Sequence, residues 1–318
     1  MKTITKRILT VSAGLMAGGA ILGGIGFFMG GKSGVTINGY GITSSYSKAE
    51  EIKLNKMKLE SFSEAEFTVT SYSDISIMAS EDNNYYLEYR LDKSCGKPEY
   101  EVSNGCLTME QKDSPGDFIN LGFSRDSLLP DTYINLYVPK DKELDYLKIY
   151  NDTGDVSLDH VRFKDADLNV DFGDIEIKDS KFDSMTMTLG TSDLNLADTE
   201  IGIFTLDNEF GENTLKNFKC ETAKMDLDTC DLYMDASGLK NLDCDIEFGD
   251  VTLLLPEKLE TYTFDVSTEF GSVRLPNNAP RGYYADRDDE DEYYRTDGNG
   301  KNLITIQGDT SDIEIKER

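Results

Sequence analysis

The sequence predicts an all-β protein: a single-stack β-solenoid (β-helix) of about 19-residue coils, preceded by one N-terminal transmembrane helix. Three observations predict it. A nineteen-residue block repeats six times without a gap, beginning at Leu147, Ala166, Met185, Phe204, Ala223 and Leu242. Within each copy apolar and polar residues alternate with the period of a half-buried strand, and no helical period fits. A separate uncharged run of twenty-four residues, Ile8 to Gly31, is long enough to cross a bilayer as a helix.

The elements follow in chain order. Residues 1–7 read as a cytoplasmic tail, because Lys2, Lys6 and Arg7 precede the apolar run and positive charge is held inside. Residues 8–31 read as a retained signal anchor. A cleavable signal peptide has a shorter apolar region and a small-x-small cleavage site, and no A-x-A motif is present. The spacings Gly14 to Gly18 and Gly19 to Gly23 would let two such helices approach closely, although glycine is common in membrane spans anyway. Residues 26–33, GFFMGGKS, match the phosphate-loop pattern by chance: that loop needs a strand before it and a helix after it, and here it straddles the end of a membrane span. Residues 32–60 are polar and weakly patterned, a stalk or linker. Residues 61–146 hold irregular coils and a cap, with hairpin signals at Asn104-Gly105 and Asp117 and a strand over Tyr133–Val138. Within them EFTVTSYSDISIM, from Glu66, is an upstream relative of the repeat.

Residues 147–279 are the regular solenoid. Positions one, three and five of each copy point inward, as in Ala166, Leu168 and Val170. A turn follows with Gly or a small residue at position eight and an acid at position nine: Asp155, Asp174, Asp193, Glu212, Asp231 and Asp250. A second short strand comes next, as in Ile175 and Ile177. Position seven reads Thr153, Phe172, Thr191, Phe210, Thr229, Phe248, which suggests large and small groups interdigitating as packing. Phe264–Pro276 repeats the core after a three-residue slip, and residues 304–318 form a C-terminal coil. Between them, residues 280–303 read as an acidic, Tyr-rich excursion loop.

The chain carries a net charge of −28. Without the first thirty-two residues, which contain Lys2, Lys6, Arg7 and Lys32 and no acid, 28 basic residues face 60 acidic ones, a net of −32. Nucleic acid and anionic membrane surfaces are therefore poor partners for that part, and no nucleic-acid partner is expected. Five cysteines form no C-x-x-C pair, which leaves zinc-finger and redox motifs unsupported, and Cys95 with Cys106 is the one pair worth testing for a disulfide.

Chemistry has little to work with. His160 is the single histidine, and there is no tryptophan. Histidine triads and His-based metal sites are thus excluded or nearly so, and carboxylate pairs among sixty acids carry no specificity. The sequence predicts no catalytic residue, no cofactor and no enzyme. Calcium is the one cation to weigh. Aligned carboxylates about 5 Å apart repel by roughly 0.8 kcal/mol per pair in water before screening. Either turn amides offset this, each Asp accepting N–H bonds within its own turn, or calcium bridges successive coils. A second candidate for a cation is the loop with Asp286, Asp288, Asp289 and Asp291, which lacks EF-hand spacing.

The glycine-rich span ending GIGFFMGG, the strand motif FTVTSYSDISIM and the tandem turns TGDVSL, FGDIEI, TSDLNL and EFGDVTL resemble those of the bacterial "putative-adhesin" domain family, uncharacterised β-solenoid proteins of the cell envelope. The resemblance covers about residues 60–318. It implies no catalytic residues, since the family has none established, and some similar members accompany envelope-stress systems. Together these readings lead to one expectation: a non-enzymatic, single-pass membrane protein with its N-terminus in the cytoplasm and its solenoid outside. Its partners would be the lipid bilayer, through the N-terminal helix, and an extracytoplasmic protein or envelope polymer. A calcium-stabilised structural module and a carbohydrate-active β-helix enzyme are the alternatives.

Overall fold

The computed structural model describes residues 34–38, 41–44, 51–112, 119–122, 131–276, 278–287, 291–296 and 300–318. Strands dominate these residues, with no α-helix and only short 3-10 turns such as Leu259–Thr261. No helix among them is long and apolar enough to cross a membrane; the expected tail and span, residues 1–31, lie outside the described residues.

Two compact units are present. The smaller contains a three-stranded antiparallel sheet in which Gly34–Asn38 pairs with Gly41–Ser44 on one side and Ile119–Gly122 on the other. The stretch expected to be a stalk therefore holds strands, and Glu51–Leu59 adds a further one. Its Ile52 and Leu54 pack against the core of the larger unit, a period-two signal too short to stand out among polar residues.

The larger unit is the solenoid. Strand Arg162–Phe172 pairs in parallel with Lys181–Thr191, with Leu168 opposite Met187. The next coils continue at the same offset: Met187 lies opposite Leu206, and Met225 opposite Cys244. A second parallel column holds the short strands, with Ile175 opposite both Val156 and Leu194. The repeat length is thus the coil length. Inward residues form continuous rows; Leu147, Leu168, Met187, Phe204, Leu227 and Ile246 are each at most 1 % exposed. Late in the coil Phe163 stacks on Phe182, ring centroids 6.3 Å apart. Because one coil has apolar atoms on its inner face alone, only stacking removes them from water.

Both ends depart from chain order. Strand Glu64–Tyr72, within the upstream relative, lies directly against the first regular coil, with Ala65 opposite Leu147. Between them in sequence, Tyr85–Asp92, Glu99–Ser103 and Cys106–Gln111 cap that end. Cys106–Gln111 pairs with Glu64–Tyr72, and Glu99–Ser103 then runs antiparallel to it around the turn at Asn104 and Gly105, both at positive φ. In the other column Tyr133–Pro139 is parallel to Asp74–Ser80 and antiparallel to Tyr85–Asp92.

At the far end the C-terminal coil inserts. Leu242 lies opposite Ile304, and Ile304 opposite Phe264. Residues 302–317 thus sit between the sixth coil and the segment Tyr262–Arg274 that follows it in sequence. Within residues 280–303, expected as an excursion loop, the described residues hold two strands. Gly282–Arg287 and Asp291–Thr296 form an antiparallel hairpin, and the second strand pairs antiparallel with Tyr262–Phe270. Its Tyr294 is buried, packs with its ring tilted 47° against Phe264 at 6.0 Å and donates to the Pro280 carbonyl; Thr296 Oγ1 accepts the Phe264 N–H at 2.8 Å. Burial of these two side chains folds a segment that its acidic composition would leave open, and the hairpin covers a strand edge that could otherwise recruit other chains.

Candidate functional site

The most regular surface is the corner between the two columns, positions six to nine of each coil. Its shape is set by glycine. Gly154, Gly173, Gly211, Gly249 and Gly271 have φ between 129° and 159°. A Cβ on Gly249 would stand 1.9 Å from the Cys230 carbonyl oxygen, and one on Gly211 2.0 Å from that of Ser192. Side chains are therefore shut out of these turns by the coil beneath as well as by φ. Where position eight is Ser192, Cys230 or Ser311, φ is not positive and the side chain is buried.

The acids at position nine form a hydrogen-bond ladder. The Asp155 N–H donates to Asp74 Oδ1 at 3.0 Å, Asp174 to Asp155 at 2.9 Å, Asp193 to Asp174 at 3.2 Å and Glu212 to Asp193 at 2.8 Å. Asp250 donates to Asp231 at 2.8 Å and Asp312 to Asp250 at 3.2 Å, and Asp312 accepts from the Ser272 N–H and hydroxyl. Each carboxylate serves the turn of the neighbouring coil, not its own turn as expected. Glu212 interrupts the run: its longer side chain accepts from Thr214 Oγ1 at 3.3 Å. At these exposed turns such a hydrogen bond contributes about 1 kcal/mol, enough to offset the roughly 0.8 kcal/mol of repulsion between neighbours in water. At the ladder's first rung, burial pushes the Asp74 carboxyl up, against the lowering effect of the Asp155 N–H.

The residues at position seven point into solvent. Phe172, Phe210, Phe248 and Phe270 are 59, 48, 51 and 53 % exposed. They are not the interdigitated packing expected from the Phe/Thr alternation; position seven faces outward in every coil, and Thr191, Thr229 and Thr310 are exposed as well. The alternation persists through the inserted coil, because Thr310 lies opposite both Phe248 and Phe270.

The opposite corner is built differently. His160, Asp179, Asp198 and Asn217 occupy the same coil position at φ of 55°, 47°, 51° and 48°. Short polar residues tolerate that region best, and this accounts for the single histidine. His160 Nδ1 lies 2.7 Å from Asp159, and its Nε2 lies 3.8 Å from Asp179. This trio is a group among the described residues whose ligand atoms could meet on an ion, and its side chains are about half exposed. Beside it runs a shallow groove of about 280 Å³ lined by Lys181, Glu200, Lys219 and Cys220. Burial raises the Glu200 carboxyl, but Lys181 and Lys219, each 3.1 Å away, outweigh it and hold the group below its ordinary range.

Asp286 lies on one strand of the hairpin opposite Glu292, and Asp291 on the other opposite Arg287; Asp288 and Asp289 lie outside the described residues. Neither Cys95 nor Cys106 is in a disulfide. Burial pushes the Cys220 and Cys244 thiols up to about 12 and Cys230 to about 11, which makes them poor nucleophiles.

Among solved structures, the chain is similar to a "putative adhesin" from Bacteroides fragilis at 12% identity and a TM-score of 0.47, over 85% of this chain and 97% of that one. A "putative adhesin" from Parabacteroides distasonis gives 11% identity, a TM-score of 0.47 and coverage of 85% and 98%. A "putative lipid binding protein" from the same species gives 12% identity, a TM-score of 0.39 and coverage of 83% and 96%. No curated protein matches the chain. The family model described as Toastrack DUF4097 matches residues 62–316, and the chain belongs to that family.

Proposed function

We propose that this chain is a non-enzymatic interaction protein of the cell envelope, an adhesin-like solenoid tethered through residues 8–31 to the cytoplasmic membrane and displayed outside it. One observation carries the reading: the unit devotes its regularity to an exposed corner, a row of aromatic rings and carboxylates repeated coil after coil. Catalytic sites in β-helices need loops that wall a cleft. Here the sizeable insertion, residues 280–303, contributes a capping hairpin. The uncharged run behind Lys2, Lys6 and Arg7 supports the tether. The acidic ladder is satisfied by backbone amides, which weakens the calcium-module alternative. A link to envelope stress is part of the same proposal, and the resemblance to stress-associated members supports it.

The test is fractionation of producing cells followed by protease treatment of intact cells. The reading expects the full-length chain in the membrane fraction, with the solenoid digested from outside. Recovery in the soluble cytoplasmic fraction would overturn the tether. A pull-down that enriches no envelope component over an unrelated acidic domain would overturn the interaction role.

A further inference from the structure

We propose that the aromatic corner is a docking surface for extended, lysine- and arginine-rich peptide segments carrying an apolar residue at every third position. The inference deepens the interaction reading above and is independent of the membrane tether.

Composition comes first. The tetrapeptides at positions six to nine read, in spatial order, DTGD, DFGD, GTSD, EFGE, DTCD, EFGD, DTSD and EFGS, ending with residues 309–312 and then 269–272. They hold fourteen acids and no base. Among the described residues, Arg274 with Asp312 at 3.2 Å is the one ion pair that reaches these two acidic columns. The surface is therefore a strip of half-exposed phenylalanines between two rows of carboxylates that the chain itself leaves unneutralised. Half exposure of four rings amounts to about 400 Å² of apolar area, taking ~200 Å² per ring, in a row that threonines interrupt; it is comparable to the largest apolar patch of a typical monomer, which is often functional.

Spacing selects the occupant. Coils stack about 4.8 Å apart, so rings on alternate coils recur every ~9.6 Å, and the four span about 29 Å. A polyproline II segment repeats every three residues at about 9.3 Å. One side chain per turn then meets the aromatic row, and the other two face the carboxylate rows on either side. A regular β-strand repeats its faces at about 6.7 or 13 Å, and an α-helix needs seven residues for about 10.5 Å; both lose register along the row. The threonines leave gaps between rings in which a proline or the stem of a lysine can lie, with cation–π contact from above. Negative potential along the whole strip attracts such a segment and repels acidic ones.

The experiment uses the full chain in detergent micelles and fluorescein-labelled peptides of about twelve residues: repeated Pro-Lys-Lys, repeated Pro-Glu-Glu, oligolysine of equal charge, and an amphipathic lysine/leucine helix. Fluorescence anisotropy is read at low and at physiological salt. Repeated Pro-Lys-Lys should bind best and the acidic peptide not at all. The double variant F210S/F248S should weaken it about tenfold with an unchanged far-ultraviolet spectrum and melting temperature, and E209Q/E247Q should flatten the salt dependence. Equal binding of oligolysine with no effect of the phenylalanine variants would reduce the surface to bulk charge and overturn the proposal. Tightest binding by the amphipathic helix would overturn the extended-chain geometry, and absence of binding by every peptide would overturn the surface. If the fractionation test fails while the peptide binds, the tether alone is lost.

Discussion

Replacing Gly249 by alanine should be among the most damaging single-methyl changes in this protein. Gly249 has φ of 137°, a region that costs a residue with a side chain about 1–3 kcal/mol. Its new Cβ would stand 1.9 Å from the Cys230 carbonyl oxygen and 2.6 Å from the carbonyl carbon. Ordinary contact begins beyond 3 Å, so the two coils must part by about 1 Å where strands otherwise stack at ~4.8 Å. That movement disturbs the neighbouring Asp250-to-Asp231 hydrogen bond. The combined cost is about 3 kcal/mol or more. For a domain of this size each kcal/mol lowers the melting temperature by about 2–4 °C, which gives a fall of about 6–12 °C. Gly238 supplies the control: its φ is 73° and the nearest atom to an added Cβ is 3.8 Å away, so alanine there meets only the left-handed penalty of about 1–2 kcal/mol. Urea denaturation and calorimetry of both variants measure the difference. Gly249→Ala within ~0.5 kcal/mol of the parent, or no worse than Gly238→Ala, would refute the claim that the stacked carbonyl excludes a side chain.

Other consequences separate the roles of individual carboxylates. Asp193→Ala removes the acceptor of the Glu212 N–H and should cost about 1 kcal/mol in chemical denaturation, whereas Asp193→Asn keeps an acceptor and should be nearly neutral. Glu212→Ala should also be nearly neutral, because its carboxylate accepts from Thr214 and not from the next turn; a loss equal to that of Asp193→Ala would contradict the ladder. Burial, then the charges of Asp226, Asp309 and Asp243, pushes the Asp245 carboxyl above its ordinary range. A carboxyl raised by folding favours the folded state only while protonated, so its contribution is lost as pH rises through the folded value. Asp245→Asn should therefore raise the melting temperature by about 2 °C at pH 7, and the gain should shrink as pH falls into the carboxylate range. A gain that grows on acidification would show the opposite sign. In thiol labelling of the native protein, Cys220, Cys230 and Cys244 should stay unreactive until unfolding, and rapid modification of Cys244 would contradict its burial.

The solenoid was legible because its register is the sequence period. The six copies align without insertion, and the structure pairs Leu147 with Ala166 and Met185 with Phe204 at the same offset. The left-handed corner was missed, although its signal is present: His160, Asp179, Asp198 and Asn217 recur at one position, and each is a short polar residue that tolerates positive φ. The inserted C-terminal coil also left a trace. Phe248 followed by Phe270 would break the Phe/Thr alternation, and Thr310 restores it. Neighbours in sequence usually stack, but the extra residues at Leu259–Thr261 give the chain room to step over a coil. The hairpin is hidden by its own charge: among the described side chains of its second strand, Tyr294 and Thr296 are the buried ones. The aromatic row was read as packing because alternation of size looks the same inside and outside a solenoid. The burial of Ser192 and Cys230 beside exposed Thr191 and Thr229 shows which side of the turn is which.

The most direct test of the account is calorimetric unfolding of the protein with millimolar calcium and with chelator. If backbone amides satisfy the position-nine column and leave the corner free for cationic partners, the two melting curves coincide within experimental error. A shift of many degrees on chelation would mean that bound cations hold that column together, and the hydrogen-bonded ladder would no longer explain how its carboxylates stack coil upon coil.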